Sequence, residues 1–182
     1  MSDFTPSAAD FQPDPELQQV ATRGADICVQ FIRHKFGKIA DYSEAFLPEI
    51  ENILQLLHLS MPAAKPSESD IEQFCTMFGS YLGETYRRHR GGEWGVSFGN
   101  TPTLSFGGGY KSFPWARVHK RLINGEEDNV HHWYLGMIQY ASKTTPAPPS
   151  ILSTTPPPLP PNSAPPPPLP PKKGFFSRLF GS

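Results

Sequence analysis

The stretch from Gly79 to Trp94, GSYLGETYRRHRGGEW, constrains this chain more than any other. It reads as the second half of a long helix with an abrupt stop. Upstream and within it, Ile71, Phe74, Cys75, Phe78, Leu82 and Thr85 recur at the i, i+3, i+4, i+7 spacing of one buried helical face. The helix is predicted to open at Ser69 or Asp70, with Glu72 at the capping-box distance from Ser69. Gly79 and Gly83 sit on the flank of the apolar face. Each costs about 1 kcal/mol against alanine in a helix, so close approach of another backbone is the simplest compensation. Arg87, Arg88, His89 and Arg90 load the last turn with positive charge, which suits the negative helix end. Gly91-Gly92 can then supply a left-handed stop.

That stop should return the chain so that Trp94 packs near the helix end. Glu84, placed off the apolar stripe, should meet Arg88 one turn later in the favourable Glu-to-cation order. One reading is a packed central helix and nothing more. The other is that Tyr81, Glu84, Arg87, Arg88 and Trp94, joined by His119 from further along the chain, border a surface for a polar or anionic ligand or a partner. A helix C-terminus repels anions, so side chains alone would have to hold one there.

The flanking sequence places this helix in an α+β domain of about five helices and a short antiparallel β-hairpin, spanning residues 14–142. Residues 1–13 are polar and proline-bearing and are expected to be disordered. Asp14-Pro15-Glu16 is a helix start, and the helix is expected to stop near Phe36-Gly37. Asp41 or Ser43 should open a second helix, with Phe46, Leu47, Ile50, Ile53, Leu54 and Leu57 on its apolar face. Residues 61–67, with two prolines, are expected as a loop. After Gly92 the pattern alternates, predicting strands at 93–98 and 103–107 around the turn cluster Gly99-Asn100-Thr101-Pro102. Gly107-Gly108-Gly109 reads as a flexible strand exit. The alternative, a phosphate cradle, lacks the GxxxxGK[ST] spacing. Pro114 starts a helix that stops at Asn124-Gly125, and the last helix carries Val130, Trp133, Tyr134, Met137 and Ile138.

The chain of 182 residues carries a formal charge of −1. Four basic residues and no acid lie from Ala141 onward, so the preceding part is acidic and no nucleic-acid footprint is expected. Cys28 and Cys75 both fall on apolar helix faces, which favours buried reduced thiols over a helix–helix disulfide. The N-terminus has neither a basic n-region nor an apolar h-region, and no apolar run reaches membrane-spanning length; the cytoplasm is the expected compartment.

Residues 143–171 differ in kind. PPPLPP occurs at 156–161 and again at 166–171, and such runs favour an extended polyproline II spacer. Pro167, Pro170 and Lys172 also satisfy the simplest PxxPxK docking pattern, so a partner site is the other reading. Residues 172–182 form a short amphipathic, basic and aromatic tail. Phe175, Phe176, Leu179 and Phe180 would gather on one side of a helix, with Lys172, Lys173 and Arg178 able to reach anionic headgroups. Peripheral contact with the inner membrane or a membrane-bound partner is expected there, a soluble partner's groove or an inert end being the alternatives.

Catalytic signatures are sparse. HExxH, CxxC, GxSxG and GxGxxG are missing, and His131-His132 would point about 100° apart on a helix, unlike an i, i+4 metal pair. No metal, cofactor or catalytic residue is therefore assigned. The order DYSEAFLPEIENIL, FGSYLGETYRRHRGGEW, FPWARVHKRLINGEEDNVHHWY resembles a widespread bacterial family of small uncharacterised domains carrying a GAYLGEV-RR--GGEW-like motif. The likeness covers roughly residues 40–136, with Thr85 where the family has an aliphatic residue. It implies fold and bacterial origin and brings no activity with it. The expectation is a non-catalytic binding or adaptor module with a protein partner. The alternatives are an immunity or antitoxin-like inhibitor of a toxin, and an enzyme using Glu84, Arg88 and His119.

Overall fold

The glycine stop does return the chain onto its own helix, and the other elements collect around that reversal. The structure is a computed structural model in which residues 11–144 are described. In chain order it comprises β1 (Gln12–Pro13), α1 (Pro15–Phe36), a 3-10 turn (Glu44–Phe46), α2 (Leu47–Ala64), α3 (Glu68–Arg90), β2 (Glu93–Ser97), β3 (Thr101–Phe106), β4 (Tyr110–Ser112), α4 (Pro114–Asn124), a second 3-10 turn (Glu126–Asp128) and α5 (Val130–Thr144). The fold is α+β, as the sequence implies, with five helices and one antiparallel sheet among the described residues.

The central helix α3 lies between α1 and α4 and makes its most extensive contacts with them. From Met77 to Tyr86 every residue is buried. A helix enclosed on all sides needs small residues where neighbours come closest, and the two glycines mark those places. A Cβ on Gly79 would lie 2.8 Å from the backbone N and Cα of Trp115, so α4 does approach as a backbone there. A Cβ on Gly83 would overlap the Trp94 indole instead, so the second glycine accommodates a side chain.

Several boundaries differ from the sequence reading. The cap of α3 is Ser67, whose Oγ accepts the Asp70 N–H at 3.2 Å while Asp70 Oδ2 accepts the Ser67 N–H at 3.0 Å. The box closes with the shorter Asp at the third position, which is why the Ser69–Glu72 pairing was not needed. Residues 61–64, expected in a loop, continue α2, with Pro62 inside the helix. Pro62 lies within one turn of the end, so its missing N–H removes a single ladder bond before Lys65 turns left-handed at φ 45°. The second helix is preceded by a 3-10 turn at Ser43, and its α-helical part begins at Leu47.

The sheet is larger than a hairpin. β2 pairs with β3 from Glu93↔Ser105 to Ser97↔Thr101, and β4 adds on the far side through Leu104↔Ser112. Gly107, Gly108 and Gly109 all have positive φ and form a tight reversal, closed by Gly109 N–H donating to the Phe106 carbonyl at 3.2 Å. They turn the chain into β4 and are not a strand exit. At the other edge, Gln12 and Pro13 pair with Val96 and Gly95, so order reaches Phe11, ahead of the expected domain start at Asp14. Asp14 caps α1 as anticipated, its Oδ1 accepting from Glu16 N at 2.9 Å and Leu17 N at 3.1 Å.

The core is formed where α3 meets α1, α2, α4 and the sheet, and includes Ile50, Leu54, Phe74, Phe78, Leu82, Trp94, Leu104, Val118 and Leu122. Cys28 and Cys75 are free and buried within it, and burial raises both thiol pKa values, Cys75 to about 12. They are small apolar fillers here, far from the thiolate state that reacts. No helix among the described residues is long and apolar enough to cross a membrane.

Candidate functional site

Glu84 was expected off the apolar stripe, but its side chain is 0% exposed. It faces Trp94 of β2. Its carboxylate accepts from Arg87 Nε at 2.9 Å and Arg87 Nη2 at 3.0 Å, from Trp94 Nε1 at 3.0 Å and from Gln18 Nε2 at 3.1 Å. The stronger cation partner is thus Arg87 at i+3; Arg88 Nε stands 3.9 Å away. Burial alone would raise the carboxyl pKa, but the Arg87 hydrogen bonds and charge, together with the Gln18 and Trp94 donors, outweigh it and the net pKa is lowered. Both oxygens are engaged, and Trp94, itself 1% exposed, covers them. A general base must reach a substrate proton, and this carboxylate has no open approach. It joins α1, α3 and β2 as a buried, hydrogen-bonded anion.

The outer face of the same helix end carries a second cluster. Arg88, 41% exposed, lies with Cζ 3.5 Å from the Tyr42 ring centroid. Tyr42 has φ 61°, a left-handed position that a bulky residue rarely holds. It is fixed from three directions: its N–H donates to Tyr81 Oη at 3.0 Å, its hydroxyl donates to Asp26 at 2.8 Å, and its carbonyl lies 2.9 Å from His89 Nε2. Tyr81, buried, stacks beneath the Tyr42 ring at 5.0 Å. His119 is exposed on α4 and is not among the hydrogen-bond partners of Glu84 or Arg88. The residues singled out from the sequence therefore divide: Glu84 and Trp94 form a buried network closed at its edge by the partly exposed Arg87, Tyr81 and Arg88 brace Tyr42, and His119 bonds to neither group.

A concavity lies elsewhere, between β4, α4 and α5. It is a half-open groove of about 510 Å³. Its walls are Phe106 and Tyr110 from the sheet, Phe113 before α4, and Trp133, Met137 and Tyr140 from α5. Gly136 leaves the α5 side open, since a Cβ there would meet nothing within 4 Å. Lys111, Arg117 and Lys120 also line the groove, with no acidic residue among the lining groups. Arg117 is held by Asp128 at 2.8 Å through Nη1 and by the Asn129 carbonyl at 3.5 Å, while its Nε is buried without a partner among the described residues. Trp133 is half-buried, and no hydrogen bond to its indole nitrogen is formed among the described residues.

Sequence reasoning missed this groove because its walls look like core. Trp133, Met137 and Tyr140 recur at i, i+4, i+7, the spacing of a buried stripe. The one hint in the sequence was Gly136 between Trp133 and Tyr140; that Tyr140 is exposed at the end of the stripe is seen only in the structure.

No group of three or more metal-ligating side chains occurs among the described residues. The tail positions Pro167, Pro170, Lys172, Lys173, Phe175, Phe176, Arg178, Leu179 and Phe180 lie outside the described residues. No protein-family model matches the chain, no curated protein matches it, and no solved structure matches it.

Proposed function

We propose that the 14–142 domain is a non-catalytic binding module of a cytoplasmic bacterial adaptor that receives a protein partner in the groove between β4, α4 and α5. The observation that carries this reading is the groove itself. It offers aromatic walls and three cations, the composition of a recognition surface, and its Ser112 hydroxyl is engaged with Met137 Sδ at 3.4 Å. The Glu84–Arg87 cluster at the end of α3 is consumed in holding α1, α3 and β2 together. The proline-rich segment then serves to separate the module from the basic, aromatic residues 172–182, which dock peripherally on anionic membrane or on a membrane-bound partner.

The test is photo-cross-linking from position 120, an exposed rim site on α4, in full-length chain expressed in its own host. A specific partner should be captured, and Trp133→Ala should abolish the capture. The captured molecule, incubated with catalytic amounts of the chain, should be recovered unchanged. Multiple turnover of it, or no capture at all, would refute the reading. For the tail, flotation on anionic vesicles at low salt should require residues 172–182; equal flotation without them would remove the membrane contact.

A further inference from the structure

The groove has a candidate occupant in the same chain. Aromatic-lined grooves recognise proline-rich segments because such segments are already extended before binding. Their rings then pack flat against aromatic side chains, and their carbonyls, free of internal hydrogen bonds, accept from indole and hydroxyl donors. The walls here supply those surfaces in Tyr110, Phe113, Trp133 and Tyr140, and the Trp133 indole N–H is a donor with no partner among the described residues. The helix that carries Trp133 and Tyr140 is α5, which ends at Thr144. The chain continues from there into the two PPPLPP repeats.

We infer that the first repeat, residues 156–161, docks in this groove in cis. Two arguments select it over the second. The rim carries Lys111 and Lys120, beside an Arg117 whose charge Asp128 offsets. The second repeat is followed at once by Lys172 and Lys173, which would bring two more cations to that rim, whereas residues 144–171 around the first repeat are uncharged. Reach is the other argument. The return path from Thr144 to the level of Trp133 is about 17 Å at 1.5 Å per helical residue. The connecting residues 145–155 can span up to about 34 Å at 3.1 Å per residue. The first repeat therefore reaches the groove with room to turn. The longer connection to the second repeat would dilute it further. Tethering raises the effective concentration to the millimolar range, so an interaction with a Kd of about 1 mM suffices for substantial occupancy. The inference rests on the groove being the module's binding site, and makes the proline segment a competitor that an external partner must displace.

The experiment uses full-length chain labelled with ¹⁵N and follows the Trp133 indole resonance, assigned through Trp133→Phe. In one variant residues 156–161 are replaced by a Gly/Ser hexamer, in a second residues 166–171 are replaced, and in a third residues 1–10 are deleted. The first replacement should move the Trp133 signal, and the other two should leave it in place. Adding a blocked synthetic peptide of residues 153–163 to the first variant should return the signal towards its native position with a Kd of about 1 mM or tighter. Tyr140→Ala should weaken that titration several-fold. A Trp133 signal unchanged by the first replacement, together with no response to peptide at 10-fold above that concentration (~10 mM), overturns cis docking. A signal that moves only with the second replacement, or only with loss of residues 1–10, assigns the groove to another segment and also overturns it. Dependence of the native signal on protein concentration would mean docking between copies, again against the inference. Capture of a partner from position 120 is unaffected by any of these failures, so the binding-module reading stands or falls separately.

Discussion

Removing the Glu84 carboxylate should cost far more than an ordinary helix substitution. In Glu84→Ala the Trp94 indole N–H, which donates at 3.0 Å, stays buried and unpaired, a loss of about 1–3 kcal/mol. Arg87 is 35% exposed and regains water, so its share is about 1 kcal/mol or less. Gln18 keeps Thr22 as a partner at 3.2 Å and contributes little. The vacated side-chain volume lies between α1, α3 and β2 in a fully buried position and adds a cavity cost. The total is about 3–5 kcal/mol, in line with breaking one side of a buried ion pair. That is a large part of the roughly 5–15 kcal/mol that holds a domain of this kind. Urea unfolding of full-length chain, followed by far-UV circular dichroism, should show the midpoint falling by roughly 2 M with the slope unchanged. Glu84→Gln keeps an acceptor for the indole and should lose only about 1–2 kcal/mol. Combining Glu84→Ala with Trp94→Phe removes the orphaned donor. The double variant should therefore be less damaged than the sum of the singles by about 1–2 kcal/mol. A loss under about 1 kcal/mol for Glu84→Ala, or strict additivity in the cycle, would refute the account of this network.

Three further outcomes follow from the same geometry. Gly83→Ala should destabilise despite alanine's helix propensity, because its Cβ overlaps Trp94, whereas Gly136→Ala, with nothing within 4 Å, should stabilise by about 0.5–1 kcal/mol; thermal melts compare the two directly. Arg121 is 1% exposed and held by Glu51 at 2.6 Å, so Glu51→Ala should cost about 3–5 kcal/mol in urea titrations by stranding a buried guanidinium. Acid should weaken the fold: Glu84 and Glu44 both have lowered pKa values, burial being outweighed by Arg87 and by Arg90 with Tyr134 respectively. Their contribution is complete above the ordinary carboxyl value of 4.5 and is lost as pH falls through the lower folded values, so the stability–pH curve should drop below about pH 4.5, less steeply in Glu84→Gln.

Much of the architecture was legible because it depends on local chemistry. Asp14-Pro15, Phe36-Gly37, Gly91-Gly92 and Asn124-Gly125 mark real helix ends, and the alternation after Gly92 marks real strands. The misplacements arise where tertiary contact decides. A hydrophobic-stripe argument puts Glu84 outside, because it assumes one buried face; α3 is enclosed by α1, α4 and the sheet, and the carboxylate is tolerated inside because four donors meet it. Pro62 looked like a loop residue and proved harmless so close to a helix end. β1 could not be read from two residues, Gln12 and Pro13, whose partners Val96 and Gly95 lie in β2 at the far end of α3. The groove was invisible for a related reason: periodicity places Trp133 and Met137 on an inward face but does not say whether that face is filled. Of the residues proposed from sequence as a ligand surface, Arg88 and His119 remain exposed, and Glu84 and Trp94 do not.

The central claim is that recognition occurs in the groove and not at the arginine-rich end of α3. The direct measurement is the yield of partner cross-linked from position 120 in three full-length variants: Trp133→Ala in the groove, Arg88→Ala at the helix end, and His119→Ala on α4. The account predicts at least a tenfold loss for Trp133→Ala, equivalent to about 1.4 kcal/mol, with the other two within about twofold of the unaltered chain, equivalent to about 0.4 kcal/mol. Full yield from Trp133→Ala with loss in Arg88→Ala would contradict it and return the binding surface to the end of the central helix.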